Sequence, residues 1–207
     1  MKATRRGVQY HRSIQSSALP DDQRHAGNAL MVVSTALVSA NYLIWLVPLI
    51  LVMMWLSGDS QRREVALRAC CVALLALGVN QLIGLVWQHP RPFMIGLGHT
   101  FLAHAPDSSF PSDHATIFAS IALPLLFGRM CWLGGMTLVV GIIVAWARVF
   151  LGVHFPLDMI GAAAVACIAY AAIARLWQTG GTAMTDLLIT LYRTLLAWPI
   201  SRGWLRP

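Results

Sequence analysis

Residues 129–148 read RMCWLGGMTLVVGIIVAWAR, two arginines bracketing 18 uncharged and mostly apolar positions. A bilayer core about 30 Å thick needs roughly 17 to 25 helical residues to cross it, so this run is long enough to span as one helix. Working outward, the pattern recurs: His25 and Asp59 enclose 33 uncharged residues, and Arg68 and His89 enclose 20. Two shorter windows, 16 residues between Asp158 and Arg175 and 14 between His114 and Arg129, are read as spans too, because flanking arginines snorkel to the headgroups. The 207-residue chain is 57% hydrophobic and 11% charged, against about 25% charged in soluble domains. Barrel-type alternation is absent, which leaves helices as the way to satisfy the backbone in lipid. The chain therefore reads as all-α, a polytopic transmembrane bundle of about five to six helices with interfacial N- and C-terminal helices.

The first window is too long for one upright span, and Asn41 divides it: a tilted or interfacial helix over 28–39, then a span over 42–56. Further spans are expected at 65–88, 112–128, 131–150 and 157–177, and residues 183–197, with Asp186 and Arg193 in an apolar pattern, read as an amphipathic surface helix. The domain reading is a polar tail over 1–26, one membrane-embedded domain over 27–180, and an amphipathic helix and tail over 181–207. Val38-Ser39-Ala40 has the small residues of a signal-peptide cleavage site, but the polar lead is long and the apolar run continues to Leu56, as in an uncleaved anchor. Cys70, Cys71, Cys131 and Cys167 all sit in apolar runs without zinc or disulfide spacing. The net charge of +7 is scattered over membrane flanks, which points to anionic lipid and away from nucleic acid.

Counting one crossing per span brings four places to the same face: Arg91 after the second span, Ser112 at the start of the third, Arg148 at the end of the fourth, and His154 with Asp158 at the start of the fifth. Pro111 favours an extended approach to the helix and Ser112 is a preferred N-cap, leaving the first-turn N–H groups as an anion site. Arg91 and Arg148 carry planar, permanently charged forks that match phosphate oxygens. Asp158, four residues beyond His154, is placed to fix the imidazole tautomer and to stabilise a positive ring as it attacks. His114, on the anion-binding turn, is the candidate acid for the departing oxygen. Asp113, grouped with Arg91, Ser112 and Arg148 in the phosphate-binding set, reads as a first-turn carboxylate or as an orienter of Arg91 or Arg148. Gly152 is expected to turn the chain sharply after the fourth span.

Three segments resemble the signature of the type-2 phosphatidic acid phosphatase superfamily: Lys-x6-Arg-Pro, Pro-Ser-Gly-His and Ser-Arg-x5-His-x3-Asp. Arg91-Pro92 is similar to the first, Pro111-Ser112-Asp113-His114 to the second, and Arg148-x5-His154-x3-Asp158 to the third. Asp113 in place of Gly resembles the branch that dephosphorylates undecaprenyl diphosphate. The resemblance implies a phosphohistidine at His154, acid catalysis by His114, support from Asp158, phosphate binding by Arg91, Ser112 and Arg148, and no metal or other cofactor. It further implies a polyprenyl diphosphate substrate, recycling of the cell-wall lipid carrier, and a bacterial inner-membrane enzyme with a periplasmic site. Two positions depart from the pattern: the lysine falls at Gly84, so that either Arg91 acts alone there or a cation comes from elsewhere, with Gln81 and His89 as candidate substitute donors, and the serine before the arginine is Ala147.

Two other classes fit the same residues: a phosphotransferase that passes phosphate to lipid A, and a lipid-diphosphate binding or export protein without turnover. A metal reading of His89, His99, His104 and His114 with Asp107 and Asp113 matches no standard zinc spacing. His99 and His104 are read as residues of the loop that covers the site.

Overall fold

The computed structural model describes residues 29–97 and 100–206, so the polar tail and His99 lie outside the described residues. The described residues form α1 (Ala29–Ser57), α2 (Ser60–Val86), α3 (Asp113–Phe127), α4 (Cys131–Phe150), α5 (Pro156–Leu195) and a short α6 (Ala197–Ser201), with no strand among them. The all-α membrane bundle expected from composition is what is observed. Helices α1, α2, α4 and α5 are long and apolar enough to cross a bilayer. The third window is the exception. Helix α3 has 15 residues, about 22 Å at 1.5 Å per residue, short of the roughly 30 Å hydrocarbon core.

That short helix is the axis of the fold. It packs against α2, α4 and α5, and Phe118, Ile121 and Leu125 of α3 join Val65, Ala66 and Ala69 of α2, Val144 of α4, and Val47 and Met54 of α1 in one core. A second cluster fastens Ala36 and Ala40 of α1 to Ala147 and Leu151 beside the end of α4, and a third joins Val72 and Ala76 of α2 to Val165 and Ala169 of α5. Helices α3 and α4 meet closely because α4 carries glycine at the crossing: a Cβ added at Gly141 would lie 2.6 Å from Phe118 Cβ. Small residues at such crossings let backbones approach where lipid offers no hydrophobic drive. Substituting Gly141 with Leu overpacks the crossing, and we expect a loss of about 1–3 kcal/mol, read as a lowered melting midpoint in detergent; an unchanged midpoint would show that α4 can back away.

Two divisions expected from the sequence are not found. The first window is one helical run, and its irregularity is a 3-10 turn at Leu43–Trp45 rather than a break at Asn41. Pro48 explains the position, since it has no N–H for the carbonyl four residues back, at Ile44. The last span does not stop near Trp177. Helix α5 runs 40 residues to Leu195 and absorbs most of the segment expected as a separate surface helix. Its far part stays docked on the start of α2: Trp177 Nε1 donates to Glu64 Oε1 at 2.9 Å, and the Arg63 guanidinium lies 4.6 Å from the Tyr192 ring centroid while donating to the carbonyls of Trp55 and Arg206.

Candidate active site

At the end of α4 the chain closes a tight turn in which Leu151, Gly152 and Val153 donate back to Ala147, Val149 and Arg148. Gly152 sits at φ +77°, a left-handed conformation that side chains resist. The turn delivers His154 into the protein, 4% exposed, just ahead of α5. Asp158, in the first turn of α5, accepts the Phe155 N–H at 2.8 Å and so is held at the helix start.

The His154 ring is fixed at both nitrogens. Nδ1 lies 3.1 Å from Asp158 Oδ2 and 3.0 Å from the Ser109 carbonyl, both acceptors, and the Ser109 hydroxyl donates to the same Asp158 oxygen. Nε2 faces Arg91 Nη1 at 3.1 Å. A guanidinium only donates, so Nε2 carries the lone pair and Nδ1 the proton, the tautomer assigned by its neighbours. Burial, with help from Arg91 and Arg148, pushes the His154 pKa below the ordinary histidine value and outweighs Asp158. The ring is therefore neutral, with the Nε2 lone pair turned toward Arg91.

Arg91 is held as firmly as the ring it faces. Its Nε donates to Asp107 at 2.8 Å, Nη1 to the Val153 carbonyl at 3.0 Å and Nη2 to the Ser108 carbonyl at 3.2 Å. One side chain thus ties the segment after α2, the loop before α3 and the turn after α4. Arg148 is held less. Its Nη1 lies 3.2 Å from His114 Nε2, and its buried Nε meets no partner.

Arg91, Arg148, His114 and His154 line a single cavity of about 560 Å³, together with Asn80, Gln81, Gly84, His104, Asp107 and Asp113. That size falls in the range of about 300–1,000 Å³ usual for ligand sites. Ser112 and Asp158 lie behind its wall. Ser112 holds the N-cap position of α3 but makes no side-chain cap; it is fully buried, its Oγ lacks a partner, and its N–H donates to the Asp158 carbonyl. Asp113 differs most from expectation. Its carboxylate accepts from Asn80 Nδ2 at 2.8 Å and Gln81 Nε2 at 3.3 Å, hydrogen-bonds to neither arginine, and as an anion cannot ligate phosphate. The orienter of Arg91 is Asp107.

Two guanidinium cations, one of them firmly held, a neutral buried imidazole backed by a carboxylate, and a second imidazole on a helix's first turn are a set suited to attack on phosphorus. Comparison with known proteins gives the family. A sequence profile of the PAP2 superfamily matches residues 65–182, more than half of the chain. The chain belongs to the PAP2 superfamily. YbjG of Escherichia coli K12, provisionally named an undecaprenyl-diphosphatase, is 37% identical over 179 residues, 86% of this chain and 90% of its own. BcrC of Bacillus subtilis, named an undecaprenyl-diphosphatase, is 39% identical over 127 residues, 61% of this chain and 65% of its own. BcrC of Bacillus licheniformis, named a bacitracin transport permease protein, is 28% identical over 155 residues, 74% of each chain. No solved structure matches.

Against the PAP2 pattern, the absent lysine leaves Gly84 on the cavity wall, with Ser108 Cβ 3.5 Å from where a Cβ would stand. Neither expected substitute replaces its charge: Gln81 is engaged with Asp113, and the His89 ring packs against those of Trp87 and Phe155. Sequence reading passed over Ser109 and Asn80, and met Asp107 only as a metal ligand. Ser109 stands one residue before Phe110-Pro111-Ser112-Asp113-His114, and its proximity to that motif was the available signal.

Proposed function

We propose that the protein hydrolyses undecaprenyl diphosphate to undecaprenyl phosphate and inorganic phosphate, with His154 as nucleophile. The observation that carries this reading is the orientation of His154: Nδ1 is taken by Asp158 and Ser109, and Nε2 keeps its lone pair on a cavity that holds Arg91, Arg148 and His114. The substrate class comes from the relatives' names.

A terminal phosphoryl group bound there takes hydrogen bonds from Arg148 and from the first-turn N–H groups of α3, beside the charge of Arg91. Anion binding draws Arg148 Nη1 from the His114 ring, and His114 Nε2 is then able to carry the proton needed at the leaving oxygen. As the phosphoryl group enters, Arg91 Nη1 turns its hydrogen from His154 Nε2 to a phosphoryl oxygen and frees the lone pair; Nε2 attacks phosphorus, the bond to the lipid phosphate breaks, and the spreading equatorial charge is met by the two guanidinium groups. The positive phosphohistidine ring is balanced by Asp158, and water then cleaves the N–P bond. The polyprenyl chain stays in the bilayer, and we place the site on the periplasmic side of the inner membrane.

The decisive assay uses purified protein in detergent with undecaprenyl diphosphate and follows released phosphate. Lipid-diphosphate export without turnover, a transport role of the general kind that the name of the Bacillus licheniformis relative, a bacitracin transport permease, carries, predicts none, since no bilayer is present to cross. A pH profile adds an independent check. Because His154 attacks as the neutral ring and burial lowers its pKa from 6.5, activity persists as pH falls through 6.5 and is lost only below it. The acid limb of kcat/KM, corrected for substrate ionisation, should have its midpoint under 6.5; a midpoint at or above that value contradicts a buried neutral nucleophile.

A further inference from the structure

The cavity has a second wall that the anion chemistry leaves unexplained. Asn80 is 3% exposed and lines it, as does Asp113. Asn80 Nδ2 donates both to Asp113 Oδ1 at 2.8 Å and to Thr116 Oγ1 at 2.9 Å. The opposite amide orientation would set Oδ1 against a carboxylate, so the assignment is fixed. Asn80 Oδ1 is left as a buried acceptor without a partner, and Asp113 Oδ2 receives only the 3.3 Å contact from Gln81. This wall presents acceptors and, with glycine at position 84, no cation. Phosphate oxygens are acceptors themselves and gain nothing from it. A hydroxyl group does.

We propose that Asn80 and Asp113 hold the hydroxyl compound, water or an alcohol, that takes the phosphoryl group from His154. This rests on the phosphohistidine reading above and assigns the second half of that reaction. The departing lipid oxygen leaves the face of phosphorus away from His154, protonated by His114, and the acceptor must arrive at the same face. Asp113 precedes His114 on the same turn of α3. Its charge repels the departed lipid phosphate and attracts the O–H that replaces it. In the transfer the acceptor oxygen bonds to phosphorus as the Nε2–P bond breaks, that electron pair returns to Nε2, and the hydroxyl proton passes to His114, left neutral by the first step. The product is inorganic phosphate from water or a phosphate monoester from an alcohol.

The test uses the full chain in detergent and undecaprenyl diphosphate radiolabelled in its terminal phosphate, with and without glycerol. Two quantities are read: the ratio of glycerol phosphate to inorganic phosphate, and the protein-bound label trapped by alkaline detergent quench. Asp113→Asn and Asp113→Gly, the second restoring the superfamily's own residue, should lower the ratio several-fold. They should also raise trapped label by about tenfold, because breakdown of the phosphoenzyme slows more than its formation. If the unaltered protein makes no glycerol phosphate, the acceptor is water alone and trapped label decides. Turnover in both variants with ratio and trapped label as in the unaltered protein overturns the assignment. Absence of both phosphate and trapped label from the unaltered protein defeats the phosphatase reading itself.

Discussion

Purified protein carrying His154→Ala should release phosphate from undecaprenyl diphosphate at no more than background, a fall of about 10⁴-fold or more, the scale seen when a covalent nucleophile is removed. Arg91, Arg148 and His114 can still polarise a bound diphosphate in the variant, but none is a nucleophile, and water would have to attack directly. The KM for residual turnover should change little, because the clamp of guanidinium groups and helix N–H groups is intact. Arg91 keeps its bonds to Asp107, Ser108 and Val153, so the thermal midpoint should stay within a few degrees of the unaltered protein. Normal turnover in a folded His154→Ala protein would remove the nucleophile assignment and with it the whole scheme.

Asp158→Asn tests the same ring from behind. A single carboxylate oxygen accepts from the Ser109 hydroxyl, His154 Nδ1 and the Phe155 N–H. An asparagine that keeps its oxygen in place preserves the geometry but loses the charge that balances a positive phosphohistidine. One that turns its NH₂ inward sets donor against donor and drives the proton from Nδ1 to Nε2, which removes the nucleophile's lone pair. Either way kcat should fall by about 10³–10⁴-fold, comparable to the same change behind the histidine of a serine-protease triad. Asp158 lies behind the cavity wall, so KM should hold. A loss below tenfold would reduce Asp158 to a helix-start anchor.

How far the sequence alone could lead is visible in particular residues. The bracket from Arg129 to Arg148 gave the bounds of α4, because charge and hydropathy both change within one or two positions. Helix counting then carried Arg91, His114, Arg148 and His154 to one rim, since a chain that must be helical in lipid has few ways to arrange its ends. The sequence ends this span near Trp177 because Arg175 closes its uncharged window. What carries the helix past Arg175 is tertiary, the hold of Trp177 and Tyr192 on the start of α2. Ser109 and Asp107 were illegible for a different reason. They lie in the segment between α2 and α3, which has no period to fix register, so only its place next to the Phe110-to-His114 motif sets Ser109 apart from Ser108. Asp113 was read from its neighbours in the motif, whereas its partners, Asn80 and Gln81, stand more than 30 residues away.

Five buried side-chain polar atoms among the described residues lack a partner, and three of them, on Asn80, Ser112 and Arg148, gather around this cavity. Each such atom costs about 1–3 kcal/mol more than a satisfied one, so the folded chain carries its largest local penalty where its ligands bind. On the proposed reading, a phosphate ion that accepts from the unpartnered Arg148 Nε would act as a chemical chaperone, deepening the native well in proportion to its occupancy, whereas Asn80 Oδ1, an acceptor, would take a hydroxyl instead. The same affinity would make inorganic phosphate a competitor for the next lipid, so that heat tolerance and product inhibition should rise and fall together through one set of atoms.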